Sequence, residues 1–330
     1  MRVGIPRALL YYEYYPMWEA FFEVLGAETV ISEPTTRAML SAGSARVVAE
    51  TCMPVKVCMG HVLTLTEQCD YLFIPAIRSM ENKVHNCSKF LGLPDMTKAV
   101  IPQCPPILDI TIDVAKGKRD LYQAIYSLGR RFTRNPLKVK AAAEAAWQAH
   151  LDYQRQMCTQ GLTPPQALGD ISEAASDRGE ESETAWGKVA IIGHPYLIYD
   201  EYVNYRLTSR LKRMGLRVFT SEMVSEADLE AAVVRIAGGS YWTYEKEVVG
   251  AGGYYLENNL DGVIGVIAFG CGPDSLMMDM VQRHAKRLKA TPFMVLTLDE
   301  HTAETGLVTR LEAFVDMIKR RKRDKVTTCA

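Results

Sequence analysis

The chain has 330 residues, of which 48% are hydrophobic and 23% charged, and its formal net charge is −1. This is the composition of a globular protein long enough for two α/β domains. The near-zero charge argues against nucleic-acid and membrane-surface partners, and no apolar run reaches the roughly 18–20 residues that a membrane helix needs. The N-terminus lacks a signal-peptide pattern. We therefore expect a cytoplasmic protein whose thiols stay reduced.

The first third of the sequence alternates between strand and helix patterns. In chain order we predict a strand at 2–5, a helix at 15–25, a strand at 28–32, a helix at 36–40, and strands at 71–75 and 98–102. The clearest helix places Trp18, Phe21, Phe22 and Leu25 on one side and ends at Gly26.

The middle of the chain is predicted to be helical, and the last third alternates again. The later predicted elements are helices at 120–132 and 136–157, an acidic linker at 161–187, strands at 188–192, 216–220, 262–269 and 292–298, and helices at 201–214, 226–237, 241–256, 275–288 and 305–321. Such alternation favours parallel sheets covered on both faces. We predict an α/β fold of two Rossmann-like lobes, with domains at 1–115 and 188–330 joined by a helical segment and linker at 116–187.

The eight cysteines differ in their sequence neighbourhoods. Five of them lie in segments with proline and glycine residues: Cys52, Cys58, Cys87, Cys104 and Cys271. Such segments suit a metal ligand, because the chain must bend around an inorganic group and offer it N–H donors. Cys271 is the strongest candidate because it follows a predicted strand and precedes a predicted helix. A nucleophilic cysteine would suit the same position, because a helix N-terminus lowers the pKa of a thiol.

Basic residues near Cys52 and Cys87 would offset the negative charge of a thiolate-bound cluster, although an ordinary surface role explains them equally well: Lys56, His61, Arg78, Lys83, His85 and Lys89. Structural zinc sites usually show paired short spacings, and the sequence has no Cys-x-x-Cys. It also lacks a P-loop and a G-x-G-x-x-G motif, so we do not expect ATP hydrolysis. No catalytic residue can be assigned.

Several longer motifs are together similar to those of one known family. They include Gly4-Ile5-Pro6-Arg7-Ala8-Leu9, Glu50-Thr51-Cys52-Met53-Pro54-Val55-Lys56, Cys87-Ser88-Lys89-Phe90-Leu91-Gly92-Leu93-Pro94-Asp95 and Phe269-Gly270-Cys271-Gly272-Pro273-Asp274-Ser275. The chain resembles the CoA-enzyme-activase-associated domain family (DUF2229-like), which is related to 2-hydroxyacyl-CoA dehydratase subunits and double-cubane-cluster proteins.

This resemblance implies an iron–sulfur cluster held between the two lobes by Cys52, Cys87 and Cys271. A [4Fe-4S] cluster is the expected type, with a double cubane as the alternative, and Cys58 or Cys104 is the candidate for a fourth ligand. The resemblance further implies a separate ATP-dependent iron–sulfur activator as a partner, and it is compatible with a homodimer.

Three functions remain open at the level of sequence. The first is low-potential electron transfer or reduction by the cluster. The second is a 2-hydroxyacyl-CoA dehydratase-like lyase, in which an iron without a protein ligand acts as a Lewis acid. The third is a non-catalytic metal-binding scaffold.

Overall fold

Two four-stranded parallel sheets form the frame of the fold in a computed structural model that describes residues 1–81, 83–169, 185–258 and 260–328. Unit 1 comprises Met1–Gly169 and Ser240–Tyr244, and unit 2 comprises Asp170–Gly239 and Glu245–Ala330. The predicted α/β class is confirmed. Most of the predicted acidic linker, residues 170–184, lies outside the described residues.

Unit 1 is built on a four-stranded parallel sheet with strand order β2-β1-β3-β5. The strands are β1 (Arg2–Ile5), β2 (Glu28–Ile31), β3 (Tyr71–Phe73) and β5 (Ile107–Leu108), and β4 (Ala76–Ser79) pairs separately with β6 (Thr111–Asp113). The helices are α1 (Tyr11–Leu25), α2 (Arg37–Ser44), α3 (Met53–Leu65), α4 (Ser88–Leu91), α5 (Leu93–Val100), α6 (Lys118–Gly129), α7 (Pro136–Gln160) and α8 (Pro164–Ala167), with a 3₁₀ turn at Val114–Lys116.

Aromatic residues on α1 connect the sheet of unit 1 to the helical segment that follows it. Phe22 is fully buried and packs edge-on against Phe73 of β3, while Trp18 contacts the same ring. The Tyr153 hydroxyl of α7 donates a hydrogen bond to the backbone oxygen of Tyr12. Helix α7 therefore packs on α1, and the helices between residue 116 and residue 169 belong to unit 1.

The predicted strand at 98–102 is wrong, because Lys98–Val100 is the last turn of α5. Thr97 explains the difference: its buried hydroxyl donates to the backbone oxygen of Leu93 one turn earlier, within the helix. Of the apolar residues that suggested a strand, Ala99 is exposed and Val100 is half-buried in the last turn of α5, and only Ile101, directly after the helix, is fully buried.

Helix α3 was not predicted from the sequence, because this helix is buried on nearly every side. Lys56 and His61 are as inaccessible as their apolar neighbours, so the helix shows little polar–apolar periodicity. Two glycines allow α2 and α3 to lie in direct backbone contact. A Cβ atom at Gly43 would collide with the Lys56 carbonyl oxygen, and one at Gly60 with the Met39 carbonyl oxygen.

Unit 2 contains a second four-stranded parallel sheet, with strand order β10-β9-β7-β8. Its strands are β7 (Gly187–Gly193), β8 (Leu216–Phe219), β9 (Gly262–Ala268) and β10 (Phe293–Leu298). Its helices are α9 (Pro195–Ile198), α10 (Leu207–Arg213), α11 (Glu226–Ala237), α12 (Ala251–Glu257), α13 (Gly272–Leu288) and α14 (Glu304–Thr328), with a 3₁₀ turn at Ser221–Met223 and a π-helical turn at Lys246–Gly250.

Two predicted helices of the last third begin later than expected. The helix predicted to start at 201 starts at Leu207, because Tyr205 and Arg206 adopt positive φ angles of 55° and 58° that a right-handed helix does not allow. The helix predicted over 241–256 begins with the π-helical turn at Lys246. None of the helices in the described ranges is long and apolar enough to cross a membrane.

The strand order of unit 2 creates a switch point between β7 and β9. The chain leaves β7 toward β8 on one side of the sheet and later returns to β9 on the other side. Ligands of open parallel sheets bind at such a point, beyond the carboxyl ends of the strands. His194 directly follows β7, and Cys271 follows β9 after two residues.

Candidate metal centre

Unit 1 brings Cys52, Cys87 and Lys89 together. Cys52 is the N-cap of α3 and Cys87 precedes α4. Partial burial raises the pKa of the Cys52 thiol, and the nearby Cys87 raises it further. The Lys89 ammonium lowers this pKa by charge attraction and by a hydrogen bond, and the Val55 backbone N–H also lowers it. Two thiols, one cation and a backbone donor therefore meet at the start of α3.

Backbone hydrogen bonds hold the two residues before Cys87 to two other segments of unit 1. The Asn86 N–H donates to the Arg78 carbonyl oxygen at 3.0 Å. The His85 N–H donates to the Tyr241 carbonyl oxygen at 2.8 Å, and the Thr243 N–H donates back to the His85 carbonyl oxygen at 3.1 Å. Cys87 is thus held by contacts distant in sequence, which explains how it reaches Cys52.

Cys58 has a different environment from Cys52, although both belong to the α3 segment. It lies six residues further along, which is roughly 9 Å along the helix axis and on another face. Its side chain is fully buried, and burial alone raises the pKa of its thiol to about 12. A thiol that resists ionisation in the core is a poor metal ligand, so this position argues against Cys58 as the fourth ligand.

Cys104 lies at the far end of α3 from Cys52, beside Cys69. The Cys69 thiol donates to the backbone oxygen of Leu65, the last residue of α3. The charge of Cys104 contributes to the raised pKa of Cys69, so these two thiols are neighbours. Since α3 is roughly 20 Å long, Cys104 is too far from Cys52 to share one cubane with it.

His61 does not supply a positive charge near Cys52, although its sequence position suggested this role. Its Nδ1 lies 2.8 Å from the Ser32 hydroxyl and its Nε2 lies 2.8 Å from the Thr35 hydroxyl. Burial, together with the positive charge of Arg7, lowers its pKa to about 4. The ring is therefore neutral at physiological pH and fixes the segment after β2 against α3.

The low pKa of His61 predicts a specific loss of stability in acid. The unfolded chain binds a proton at this position near pH 6.5 and the folded chain only near pH 4, so the free energy of unfolding should fall as the pH drops through this window. We expect about 3 kcal/mol from this group. Denaturant unfolding at several pH values should show this loss in the wild type and not in His61→Gln. An identical pH dependence in both proteins would contradict the assignment.

Cys271 occupies the corresponding place in unit 2, at the switch point. It is the N-cap of the 17-residue helix α13, and Gly270 before it adopts a φ of 76° that strongly favours glycine. The Cys271 N–H donates to the Ala268 carbonyl oxygen at 3.1 Å, which closes a tight turn at the end of β9. The thiol is partly exposed at the positive end of a long helix, where a thiolate is stabilised.

Two residues near Cys271, His194 and Asp274, were not predicted as metal ligands. One ligand atom each from His194, Cys271 and Asp274 lies within 4.8 Å of the others. His194 follows β7 and Asp274 lies in the first turn of α13, and no local sequence pattern shows a connection between them. The parallel pairing of β7 with β9 would have supplied that connection, because it brings the ends of both strands together.

The comparisons with known proteins identify a family. A search of curated proteins finds no match. A family model described as "CoA enzyme activase uncharacterised domain (DUF2229)" matches residues 2–224, a range that includes Cys52 and Cys87 and ends before Cys271. Because this match covers more than half of the sequence, the chain belongs to the CoA enzyme activase domain family that this model describes.

Proposed function

We propose that the protein binds an iron–sulfur cluster of the [4Fe-4S] type and acts in low-potential electron transfer or reduction. Cys52, Cys87 and Cys271 are the proposed ligands. When bound, such a cluster accepts and donates single electrons, at a potential set by nearby charges and hydrogen bonds.

The observation that carries this proposal is the grouping of Cys52, Cys87 and Lys89. Cysteine thiolates are the usual ligands of iron–sulfur clusters. Burial raises the pKa of Cys52 overall, but the Lys89 ammonium and the Val55 N–H oppose this rise, which means that they stabilise negative charge on its sulfur. The same two groups would offset the negative charge of a thiolate-bound cluster, so the residues present fit this cofactor.

Cys271 is proposed as the third ligand because of its local environment in unit 2. It combines the carboxyl end of a buried parallel strand with the N-terminus of α13. The strand end is where such sheets bind their ligands, and the helix N-terminus stabilises a bound negative group.

The electrons are proposed to come from a separate ATP-dependent activator. Membership of a CoA enzyme activase domain family supports an activator as the partner. The sequence itself lacks the phosphate-binding motifs that would couple ATP hydrolysis to electron transfer.

The positions of Cys58 and Cys104 favour one second candidate, a 2-hydroxyacyl-CoA dehydratase-like lyase. Cys58 is enclosed in the core, and Cys104 lies at the opposite end of α3 from Cys52. A cubane with only three cysteine ligands keeps one iron accessible to substrate. Such an iron could bind and polarise the oxygen of a 2-hydroxyacyl-CoA.

Anaerobically purified protein should test both candidates. We expect about four iron and four sulfide ions per chain, absorbance near about 400 nm, and an EPR signal after one-electron reduction. Protein with neither stoichiometric iron nor labile sulfide, under conditions that load related clusters, would reject the cluster. For the lyase, adding a 2-hydroxyacyl-CoA should change the EPR spectrum of the reduced protein, and an unchanged spectrum would count against it.

A further inference from the structure

The side chains of His194, Cys271 and Asp274 form a small polar cluster in unit 2, which we name the switch-point triad. Its ligand atoms lie within 4.8 Å of one another at the ends of β7 and β9. His194 is 3% exposed and Asp274 is fully buried, whereas Cys271 is partly exposed. Solvent therefore reaches the triad at Cys271, whereas His194 and Asp274 are enclosed by the protein.

Asp274 is held in a way that leaves one of its carboxylate oxygens available. Its Oδ2 accepts a hydrogen bond from the Ala268 N–H at 3.0 Å. Its Oδ1 lies in an ion-pair contact 2.8 Å from His194 Nδ1, but it accepts no well-oriented hydrogen bond from the residues that the structure describes. His194 Nδ1 is also 2.7 Å from the Tyr196 hydroxyl. A buried carboxylate oxygen without a donor is costly, and a cation would satisfy it.

The spacing of the triad distinguishes a single ion from a cluster. Ligands of one tetrahedral ion, with bonds of about 2.0–2.3 Å, lie about 3.3–3.8 Å apart. Ligands on two different irons of one cubane lie roughly 6 Å apart. The three triad atoms are no more than 4.8 Å apart, with 2.8 Å between His194 and Asp274. The limit of 4.8 Å is too short for His194 or Asp274 to bind a second iron beside Cys271. The 2.8 Å between His194 and Asp274 is a hydrogen-bond distance, and it needs to widen by only about 0.5 Å for both side chains to bind one ion.

We propose that, in the cluster-free protein, the switch-point triad binds one divalent transition-metal ion. The Cys271 thiolate, an imidazole nitrogen of His194 and the Asp274 carboxylate are the protein ligands, and the fourth position is open to water or a small ligand. One sulfur, one nitrogen and one oxygen donor suit Zn²⁺, Co²⁺ or Fe²⁺. This site does not depend on the cluster proposed above, because Cys52 and Cys87 take no part in it.

Cobalt is a suitable probe, because a thiolate ligand gives Co²⁺ a charge-transfer band and a tetrahedral site gives intense visible bands. Anaerobic titration of the cluster-free protein with Co²⁺ should show both features, saturating at about one ion per chain. Cys271→Ala should lose the charge-transfer band. Asp274→Asn and His194→Gln should each weaken Co²⁺ binding at least about tenfold, and Asn can still accept from the Ala268 N–H. Thermal unfolding of each variant without metal verifies that it is folded.

Cys52→Ala is the matched control, since it removes a proposed cluster ligand and leaves the triad intact. It should lose the cluster and keep Co²⁺ binding, whereas His194→Gln should do the reverse. Absence of a charge-transfer band in the wild type would overturn the proposal, as would a band that persists unchanged in folded Asp274→Asn and His194→Gln. Loss of Co²⁺ binding in Cys52→Ala would also overturn it. Cluster content is measured separately, so either proposal can fail alone.

Discussion

Replacing Cys52 or Cys87 with alanine is expected to lower the iron and sulfide content of anaerobic protein at least about tenfold. The two thiols are close enough in unit 1 for Cys87 to affect the pKa of Cys52, which burial raises, and the Lys89 ammonium opposes that rise. Removing either one takes away an anionic ligand that no nearby side chain of the same chemistry replaces within the described part of unit 1. Iron and sulfide analysis of the purified variants, together with their visible spectra, provides the measurement.

Two other cysteine variants serve as controls for this prediction. Cys58→Ala removes a thiol that is enclosed in the core. Cys104→Ala removes a thiol that lies beyond the end of α3 opposite to Cys52. Both should retain wild-type iron and sulfide. If Cys104→Ala loses the cluster while Cys52→Ala keeps it, the ligand assignment in unit 1 is wrong.

Gly60→Val is expected to destabilise unit 1 by about 3 kcal/mol or more. The added side chain would meet the backbone of Met39 on α2 rather than a flexible side chain, so the two helices must separate. Separation exposes the buried face of α3 and moves Cys52 at its start. Denaturant unfolding followed by circular dichroism should show a lower midpoint for the variant.

Gly306→Ala is the matched control for the effect of losing a helical glycine. Gly306 lies in α14, where an added Cβ would have no neighbour within 4 Å. Alanine is a better helix former than glycine, so this variant should be unchanged or slightly more stable, by up to about 1 kcal/mol. Equal stability of Gly60→Val and the wild type would mean that α2 and α3 are not packed through their backbones.

The sequence predicted elements well where both a boundary signal and a periodicity were present. Helix α11 was predicted at the observed residues, because Ser225 caps its start and Gly238 ends it in a left-handed conformation. Strands β7 and β9 were found as apolar runs of strand length. Helix α3 was missed for the opposite reason. Its burial on all sides removes the periodicity, and Pro54, which looked like a break in the chain, lies in its first turn.

The candidate site was only partly predictable for a related reason. The sequence identified Cys52, Cys87 and Cys271 from their local context, and it could not reveal that Cys58 faces the core. The link between His194 and Asp274 depends on the pairing of strands whose residues are about seventy positions apart. No local pattern carries such information.

The segment Ser240–Tyr244 has a practical consequence for dissecting the protein. It belongs to unit 1, while the residues on both sides of it belong to unit 2. Within unit 1 its backbone binds His85, two residues before Cys87. A fragment that stops at residue 169 would therefore lack the backbone hydrogen bonds that hold His85 and, with it, the Cys87 loop. Separately expressed halves would be unsuitable for locating the cofactor, and full-length chains with point substitutions are the appropriate material.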